Sequence, residues 1–156
     1  MISDDRTPEF KSAMETALRI LTRRNHTCRE LRTKLVRKGV SRIVAGEVVE
    51  ACLRLGYLDD ERMAGFYVDE LRAKGYGIRF VQKAMRDKGF EVALIESTLA
   101  RRQDKDEELA AARRALEKKQ KTFEREKDPR KRREKTYRYL YSRGFSSSVI
   151  SALTHR

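Results

Sequence analysis

The sequence predicts an all-α protein, an elongated and curved tandem array of three three-helix modules. Apolar residues recur at helical spacing along the 156 residues, and no segment shows the alternation of a β-strand. A basic-glycine-apolar tripeptide occurs three times, with glycines 50 and 55 residues apart, at Lys38-Gly39-Val40, Lys88-Gly89-Phe90 and Arg143-Gly144-Phe145. This spacing is close to the length of a small helical repeat, so we interpret the chain as a stack of modules.

Two of the tripeptides follow a segment with apolar residues eight and four positions before the glycine, and the third keeps one of the two. These positions hold Leu31 and Leu35, Val81 and Met85, and Thr136 and Leu140. Residues four apart lie on one face of a helix, and glycine can adopt the positive φ at which a helix ends. The tripeptide is therefore predicted to close the second helix of each module, and its apolar residue to fold back onto that helix.

Local signals set the module boundaries and the helices of the first module. The predicted parts are a polar N-terminal tail at 1–12 and modules at 13–57, 58–102 and 103–156, the last with a long charged first helix. Thr27 and Glu30 match the capping box, in which the hydroxyl accepts the third-residue amide and the carboxylate reaches back to the cap. Ser41 is the predicted cap of the third helix, which ends at Gly56.

Turn and capping residues also define the second and third modules. Asp59 and Asp60 stand at a predicted helix start, where the positive end of the helix dipole favours acidic side chains. The segment 75–77, Gly-Tyr-Gly, separates the next two helices. In the third module a charged helix from Asp104 to Lys127 ends before Pro129, because the residue before a proline avoids helical angles.

The chain is strongly basic, with 37 Lys and Arg against 24 Asp and Glu and a formal net charge of +13. More than half of this excess lies in residues 104–156. A field of this sign attracts polyanions, such as nucleic acid, an acidic protein face or an anionic membrane surface. No apolar run reaches spanning length, and residues 1–11 show no signal-peptide core, so we expect a cytoplasmic protein with no membrane partner.

Basic residues recur at two positions upstream of the repeat glycines. The position ten residues before holds Arg29, Arg79 and Glu134, and the position six before holds Thr33, Lys83 and Arg138. These positions face away from the apolar stripe, so we predict repeated basic contacts with a partner that is itself a repeating polymer; a solvated surface stripe is the alternative. The candidate contact residues are Arg29, Arg32, Arg37, Arg79, Lys83, Arg86, Arg130, Lys131, Arg132, Arg133 and Arg138.

The densest basic run, Arg130 to Arg133, begins a predicted helix, where positive charge opposes the helix dipole. A bound phosphate or an acidic protein surface would relieve this cost, and solubility is the alternative function of the run. Tyr137, Tyr139 and Tyr141 follow it. We expect two of these rings in the module core, and the third to be available for stacking on a nucleobase.

No catalytic or metal-binding arrangement is recognisable in the sequence. The adjacent acidic side chains of residues 59–61 diverge at a helix start, so we interpret them as helix caps and not as a metal site. Cys28 and Cys52 lack the spacing of paired metal ligands, and His26 and His155 lie before a helix start and in the C-terminal tail. We therefore predict that the protein is not an enzyme and has no cofactor.

The junction Gly56-Tyr57-Leu58-Asp59-Asp60-Glu61-Arg62-Met63-Ala64, followed by Phe66-Tyr67-Val68 and Lys88-Gly89-Phe90, resembles the RecX family of bacterial recombinase regulators. The resemblance covers roughly residues 17–99 and includes Glu30-Leu31, Lys34-Leu35 and Lys38-Gly39. The final third resembles the family through Leu140 and Arg143-Gly144-Phe145. The chain differs in Met63, where the family more often has an aromatic residue, and in its highly charged stretch from Asp104 to Lys135.

The resemblance implies a tandem array of three-helix modules that binds RecA recombinase and restrains its filament on single-stranded DNA. It also implies inhibition of recombinase, ATPase and coprotease activities, and a role in DNA repair and recombination. We expect a monomer whose partners are the RecA filament and single- or double-stranded DNA. The basic residues leave one alternative open, a helical DNA-binding module that acts independently of RecA.

Overall fold

The computed structural model describes residues 6–154, which contain nine α-helices and no β-strand, so the predicted all-α class is confirmed. The helices are α1 (Pro8–Arg23), α2 (Cys28–Arg37), α3 (Arg42–Arg54), α4 (Asp60–Ala73), α5 (Ile78–Lys88), α6 (Val92–Arg101), α7 (Lys105–Glu124), α8 (Pro129–Ser142) and α9 (Ser147–Thr154). They fall into two compact units, residues 6–63 with 88–90 and residues 64–87 with 91–154. The first unit holds α1 to α3, and the second holds α6 to α9 with most of α4 and α5.

The first helix begins inside the segment that was predicted to be a polar tail. Thr7 caps it by accepting a hydrogen bond from the Phe10 amide at 3.2 Å. Pro8 occupies the first helical position, where its missing N–H costs nothing. Phe10 is buried in the core of the first unit. The predicted tail is therefore wrong from Pro8 onward, because this segment has its own cap and its own apolar anchor.

The core of the first unit forms where α1, α2 and α3 pack on one another. Leu31 and Leu35, the predicted apolar pair, are fully buried, and Cys52 lies with them. Burial raises the pKa of the Cys52 thiol. Cys28 is half-buried, and burial together with the neighbouring Asp60 carboxylate raises its pKa to about 12. Both thiols are therefore protonated at neutral pH and are poor nucleophiles.

In the second unit α7, α8 and α9 pack around a small core. Leu140, Phe145 and Ile150 are fully buried. The buried residues of α7 are all alanines: Ala111, Ala112 and Ala115. Because alanine presents only a methyl group, the backbone of this charged helix can approach its neighbours closely. The apolar pair of the second predicted module, Val81 and Met85, is also fully buried.

All three repeat glycines end their helix with positive φ, +95° at Gly39, +99° at Gly89 and +95° at Gly144. After Gly39 and Gly144 the next amide bonds back to the carbonyl five residues earlier, at 3.1 and 3.2 Å, which is the Schellman motif. The apolar residues that follow the glycines are buried or partly buried: Val40, Phe90 and Phe145. The prediction that the tripeptide closes a helix is confirmed.

Candidate functional site

The second tripeptide turn, Lys88 to Phe90, packs on the start of α2 within the first unit. The Thr27 hydroxyl accepts a hydrogen bond from the third amide of α2 at 3.0 Å and donates one to the Lys88 carbonyl at 3.1 Å. One hydroxyl therefore both caps the helix and holds the turn. Gly89 faces Arg29, since a Cβ atom on the glycine would lie 2.7 Å from Arg29 Cδ. We call this arrangement the first joint.

The predicted capping box is only half formed, because the Glu30 carboxylate makes ion pairs in place of its hydrogen bond to the cap. The Glu30 carboxylate lies 3.2 Å from the Arg24 guanidinium and 3.5 Å from the Lys88 ammonium, instead of reaching back to the cap. The Cys28 amide donates to Asp60 Oδ1 at 3.1 Å. An acidic residue from the start of α4 thus helps to cap α2, and Glu30 is free to bind the turn at Lys88.

The third tripeptide turn packs on the start of α5 within the second unit, and we call this the second joint. The Gly77 amide donates to the Arg143 carbonyl at 2.9 Å, and the Arg79 amide donates to the Gly144 carbonyl at 3.1 Å. A Cβ atom on Gly77 would overlap the Gly144 carbonyl, and one on Gly144 would overlap the Phe80 amide. Because both obstacles are main chain, the two segments meet only where neither residue has a side chain.

Arg79, one of the candidate contact residues, belongs to the second joint. Its guanidinium donates to the Phe145 carbonyl at 2.9 Å and lies 4.1 Å from the centre of the Tyr141 ring. The residue is exposed, as the sequence predicted, and its hydrogen-bond partners lie 62 and 66 residues further along the chain. The recurrence of arginine at positions 29 and 79 reflects packing against a tripeptide turn at both joints.

The C-terminal end of α4 accepts cationic side chains from α7 and from the third turn. Arg114 donates to the Arg72 carbonyl at 3.2 Å, and Lys118 donates to the Lys74 carbonyl at 3.5 Å. Arg143 donates to the same Lys74 carbonyl at 2.7 Å. Positive charge at this end complements the helix dipole, so part of the basic charge of the last third stabilises the fold.

Within the basic run at the start of α8, one side chain stabilises the preceding turn and the others are exposed to solvent. Arg132 donates to the Glu126 carbonyl through Nε at 3.0 Å and through Nη2 at 2.6 Å, which closes the turn before α8. Lys135 donates to the Glu126 carboxylate at 2.8 Å, and this hydrogen bond lowers the pKa of Glu126. The other members of the run are exposed: Arg130, Lys131 and Arg133.

The remaining candidate residues are exposed side chains of the second helices. They are Arg29, Arg32 and Arg37 on α2, Lys83 and Arg86 on α5, and Arg138 on α8. Arg37 also lines a groove of the first unit together with residues of α1, a relation that no single sequence segment reveals. Each second helix has at least one exposed basic side chain in its central part: Arg32 on α2, Lys83 on α5 and Arg138 on α8.

Tyr137 and Tyr141 form an exposed aromatic pair on α8, with 41% and 52% of their surfaces accessible. Their ring centres lie 6.1 Å apart, and the planes differ by 13°. The expectation that two of the three tyrosines lie in the core is wrong, because Leu140 occupies the core-facing stripe of α8. Tyr139 alone of the three packs inward, and its hydroxyl donates to the Ala115 carbonyl at 3.2 Å.

Asp59 accepts a hydrogen bond from the Arg62 amide at 3.1 Å, so the interpretation of this acidic cluster as a helix cap is confirmed. In the part of the chain that the structure describes, no three His, Cys, Asp or Glu side chains are grouped to hold a metal ion. No helix within residues 6–154 is long and apolar enough to span a membrane. His155 lies outside the described residues.

Sequence comparisons match both ends of the chain to one family. Residues 13–52 match the first three-helix domain of RecX, and residues 106–153 match the third. The chain is 38% identical over 140 residues to Regulatory protein RecX of Legionella pneumophila, covering 89% of this chain and 90% of the relative. It is 33% identical over 139 residues to Regulatory protein RecX of Trichlorobacter lovleyi, covering 88% and 90%.

Two solved structures share the fold. The crystal structure of RecX from Lactobacillus salivarius superposes with a TM-score of 0.84 at 18% identity, covering 94% of this chain and 95% of that one. A crystal structure of regulatory protein RecX superposes with a TM-score of 0.83 at 19% identity, covering 95% and 72%. With the matched three-helix domains, these likenesses confirm an array of three-helix modules.

Proposed function

Because the chain belongs to the RecX family of regulatory proteins, we propose that it binds RecA recombinase filaments on single-stranded DNA and inhibits their recombinase, ATPase and coprotease activities. In this role it modulates DNA repair and recombination. It acts through binding alone, without catalysis or a cofactor, as a monomer in the cytoplasm.

The observation that carries the proposal is the exposed cation near the middle of each second helix. Arg32, Lys83 and Arg138 have no ion-pair partner among residues 6–154. A filament repeats its own surface, so a chain with repeated cations can contact it at several points. Once one contact forms, the others become intramolecular, and contacts that are weak individually give tight binding together.

Single-stranded-DNA-dependent ATP hydrolysis and strand exchange by RecA of the same species test this function. We expect the chain to inhibit both at or below stoichiometric amounts. The double variant Lys83→Glu with Arg138→Glu should inhibit about tenfold less strongly, because it places repulsive charge at two contacts. The matched control is Arg113→Glu with Lys119→Glu, the same charge change at exposed positions of α7.

The wild-type chain has to inhibit active RecA for the proposal to stand. Absence of inhibition contradicts it. If both double variants lose inhibition equally, the effect belongs to net charge and not to the second helices.

A direct DNA-binding module is the second candidate, and the exposed pair of Tyr137 and Tyr141 favours it. Such rings can stack on the bases of a single strand, while the neighbouring Arg133 and Arg138 contact phosphates. This function predicts tight binding to naked DNA, with an affinity that falls steeply as the salt concentration rises. Weak binding to naked DNA at physiological salt, together with strong binding to filaments, excludes it.

A further inference from the structure

A groove in the first unit collects six basic side chains and one carboxylate. It has a volume of about 1000 Å³ and runs along α1, the turn before α2, and the C-terminal part of α2. The basic residues that line it are Arg19, Arg23, Arg24, Lys34, Arg37 and Lys38, and the carboxylate is that of Glu9. The volume is at the upper end of the range for ligand sites in proteins.

A buried histidine fixes one of these cations. The His26 ring is 3% exposed, with Nε2 at 2.8 Å from Lys34 Nζ and Nδ1 at 2.9 Å from the Arg24 carbonyl. Because an ammonium group can only donate, Nε2 is the acceptor and Nδ1–H donates to the carbonyl. Burial lowers the pKa of His26, so the ring is neutral at pH 7. The neutral ring orients the Lys34 ammonium in the wall of the groove.

Most of the cations that line the groove have no carboxylate partner in the described part of the chain. Glu9 accepts a hydrogen bond from the Ser41 amide at 3.2 Å, so its carboxylate already serves the start of α3. Arg24 is paired with Glu30 at 3.2 Å. Five of the six cations have no ion-pair partner within residues 6–154, and three of these five also make no side-chain hydrogen bond there: Arg23, Arg37 and Lys38. Incoming carboxylates would satisfy them, and guanidinium groups bind carboxylates through two parallel hydrogen bonds.

The rest of the lining distinguishes between two kinds of polyanion. Ala13 is buried, and Ile20 and Val40 are partly buried against the core, so the groove has an apolar floor. No Phe, Tyr or Trp among the described residues lines the groove, and its one aromatic ring, the imidazole of His26, is only 3% exposed. A nucleobase would therefore find no ring to stack on, whereas an aliphatic side chain can bury its surface on this floor.

We propose that this groove binds an acidic peptide segment of a partner protein. Carboxylates of the segment pair with Arg23, Arg37 and Lys38, and one aliphatic side chain lies on the floor at Ile20 and Val40. The segment is recognised by charge along its length and by a single apolar anchor.

Fluorescence anisotropy tests the proposal with a fluorescein-labelled peptide of Asp and Glu that carries a central Leu. At about 0.15 M salt, which screens exposed charges, Arg23→Glu with Arg37→Glu should weaken binding about tenfold or more. Arg113→Glu with Lys119→Glu has the same charge change outside the groove and should weaken it less than about twofold. Replacing the peptide Leu by Ser should weaken binding about fivefold, because the apolar anchor is lost.

Unchanged affinity of the groove variant, or an equal loss in the control, overturns the proposal. A fluorescein-labelled oligothymidine that loses affinity in parallel with the peptide also overturns it, and assigns the groove to phosphate. Circular dichroism checks that the variants fold. Lys38→Glu, an exposed substitution in the turn after α2, provides the same test if the double variant does not fold. The assay contains no recombinase, so its result is independent of the function proposed above.

Discussion

The turn that packs on the start of α2 and the turn that packs on the start of α5 are held by different atoms. At the first joint the hydroxyl of Thr27 reaches the Lys88 carbonyl. At the second joint the main chain makes the contact, because the Gly77 amide donates to the Arg143 carbonyl. Thr27 and Gly77 are 50 residues apart, the same separation as the first two repeat glycines, so they occupy equivalent places.

The repeat therefore preserves a contact between a turn and a helix start, whereas the residue that makes this contact differs between the two joints. A hydroxyl bridges the distance at the first joint, whereas the absence of a side chain lets two backbones meet at the second. The first joint therefore depends on the Thr27 hydroxyl, together with the ion pair between Glu30 and Lys88. The second depends on the absence of a side chain at Gly77 and at Gly144, so it should be the less tolerant of substitution.

We expect the largest effect from Gly77→Ala, which affects the second joint alone. The added Cβ would overlap the Gly144 carbonyl, and main-chain atoms can give way only if the whole turn moves. The free energy of unfolding should fall by about 3 kcal/mol. Equilibrium unfolding in urea, followed by circular dichroism, measures this change.

The control for this substitution is Gly46→Ala on α3, where an added Cβ would meet no atom within 4 Å. Alanine forms helix more readily than glycine, so this variant should be more stable by about 0.8 kcal/mol. Equal changes in the two variants would contradict the steric account of the second joint.

Thr27→Val should have the next largest effect and acts on the first joint. Valine keeps the shape of threonine but loses the hydroxyl that caps α2 and binds Lys88, so we expect a loss of about 2 kcal/mol in the free energy of unfolding. Thr27→Ser retains the hydroxyl and should lose much less. If serine and valine destabilise equally in urea unfolding, the oxygen atom is not what holds this joint.

Arg143→Lys tests the side chain that accompanies the second joint. Arg143 donates to the carbonyls of Lys74 and Gly75 and lies 3.8 Å from the centre of the Tyr76 ring. Lysine keeps the charge but not the planar fork, so stability should fall by about 1 kcal/mol. Arg113→Lys, at an exposed position of α7, should change it by less than about 0.5 kcal/mol. The thermal midpoints of the two variants, measured side by side, provide the comparison.

The smallest effect should come from pH, and it should act on the first joint only. His26 precedes Thr27 and has a pKa lowered mainly by burial, with the charges of Arg24 and Lys34 adding to the effect. Below its ordinary pKa of 6.5 the unfolded chain takes up a proton that the folded ring resists. Stability should therefore fall as the pH decreases from about 7.5 to about 5.5, and level off below the folded pKa.

The control is His26→Asn, which can keep the donor to the Arg24 carbonyl but does not titrate in this range. Urea midpoints of both proteins at the two pH values isolate the contribution of the ring. An identical pH dependence in the variant would assign the effect to other groups. At the second joint the equivalent position holds Tyr76 in place of a histidine.

Most helix ends were predictable because their signals are local. Thr27 and Ser41 each accept from an amide three residues ahead, and the turns at Gly39 and Gly144 close through hydrogen bonds to residues within five positions. The start of α1 had an equally local signal in Thr7 and Pro8, but the polar composition around it concealed the helix. The structural role of Arg79 was not predictable, since no local pattern specifies partners more than 60 residues away.

The candidate surfaces were only partly visible in the sequence. Exposure of Arg32, Lys83 and Arg138 follows from their place opposite the apolar stripe. The groove was not predicted, because its cations lie on two helices and the turn between them, and no single segment of the sequence brings them together. Basic residues at the ends of both helices, at 23–24 and at 37–38, were the signal that would have indicated it.

At the start of α5, two backbone amides donate to carbonyls of residues that the ribosome adds much later. Gly77 and Arg79 find their acceptors at Arg143 and Gly144, whereas α8 provides its own acceptor, since Asp128 accepts the second amide of that helix at 2.9 Å. While the ribosome is still making the last third of the protein, the start of α5 can bond only to water. The start of α5 is therefore completed only after the turn at Arg143 and Gly144 has been synthesised and has folded.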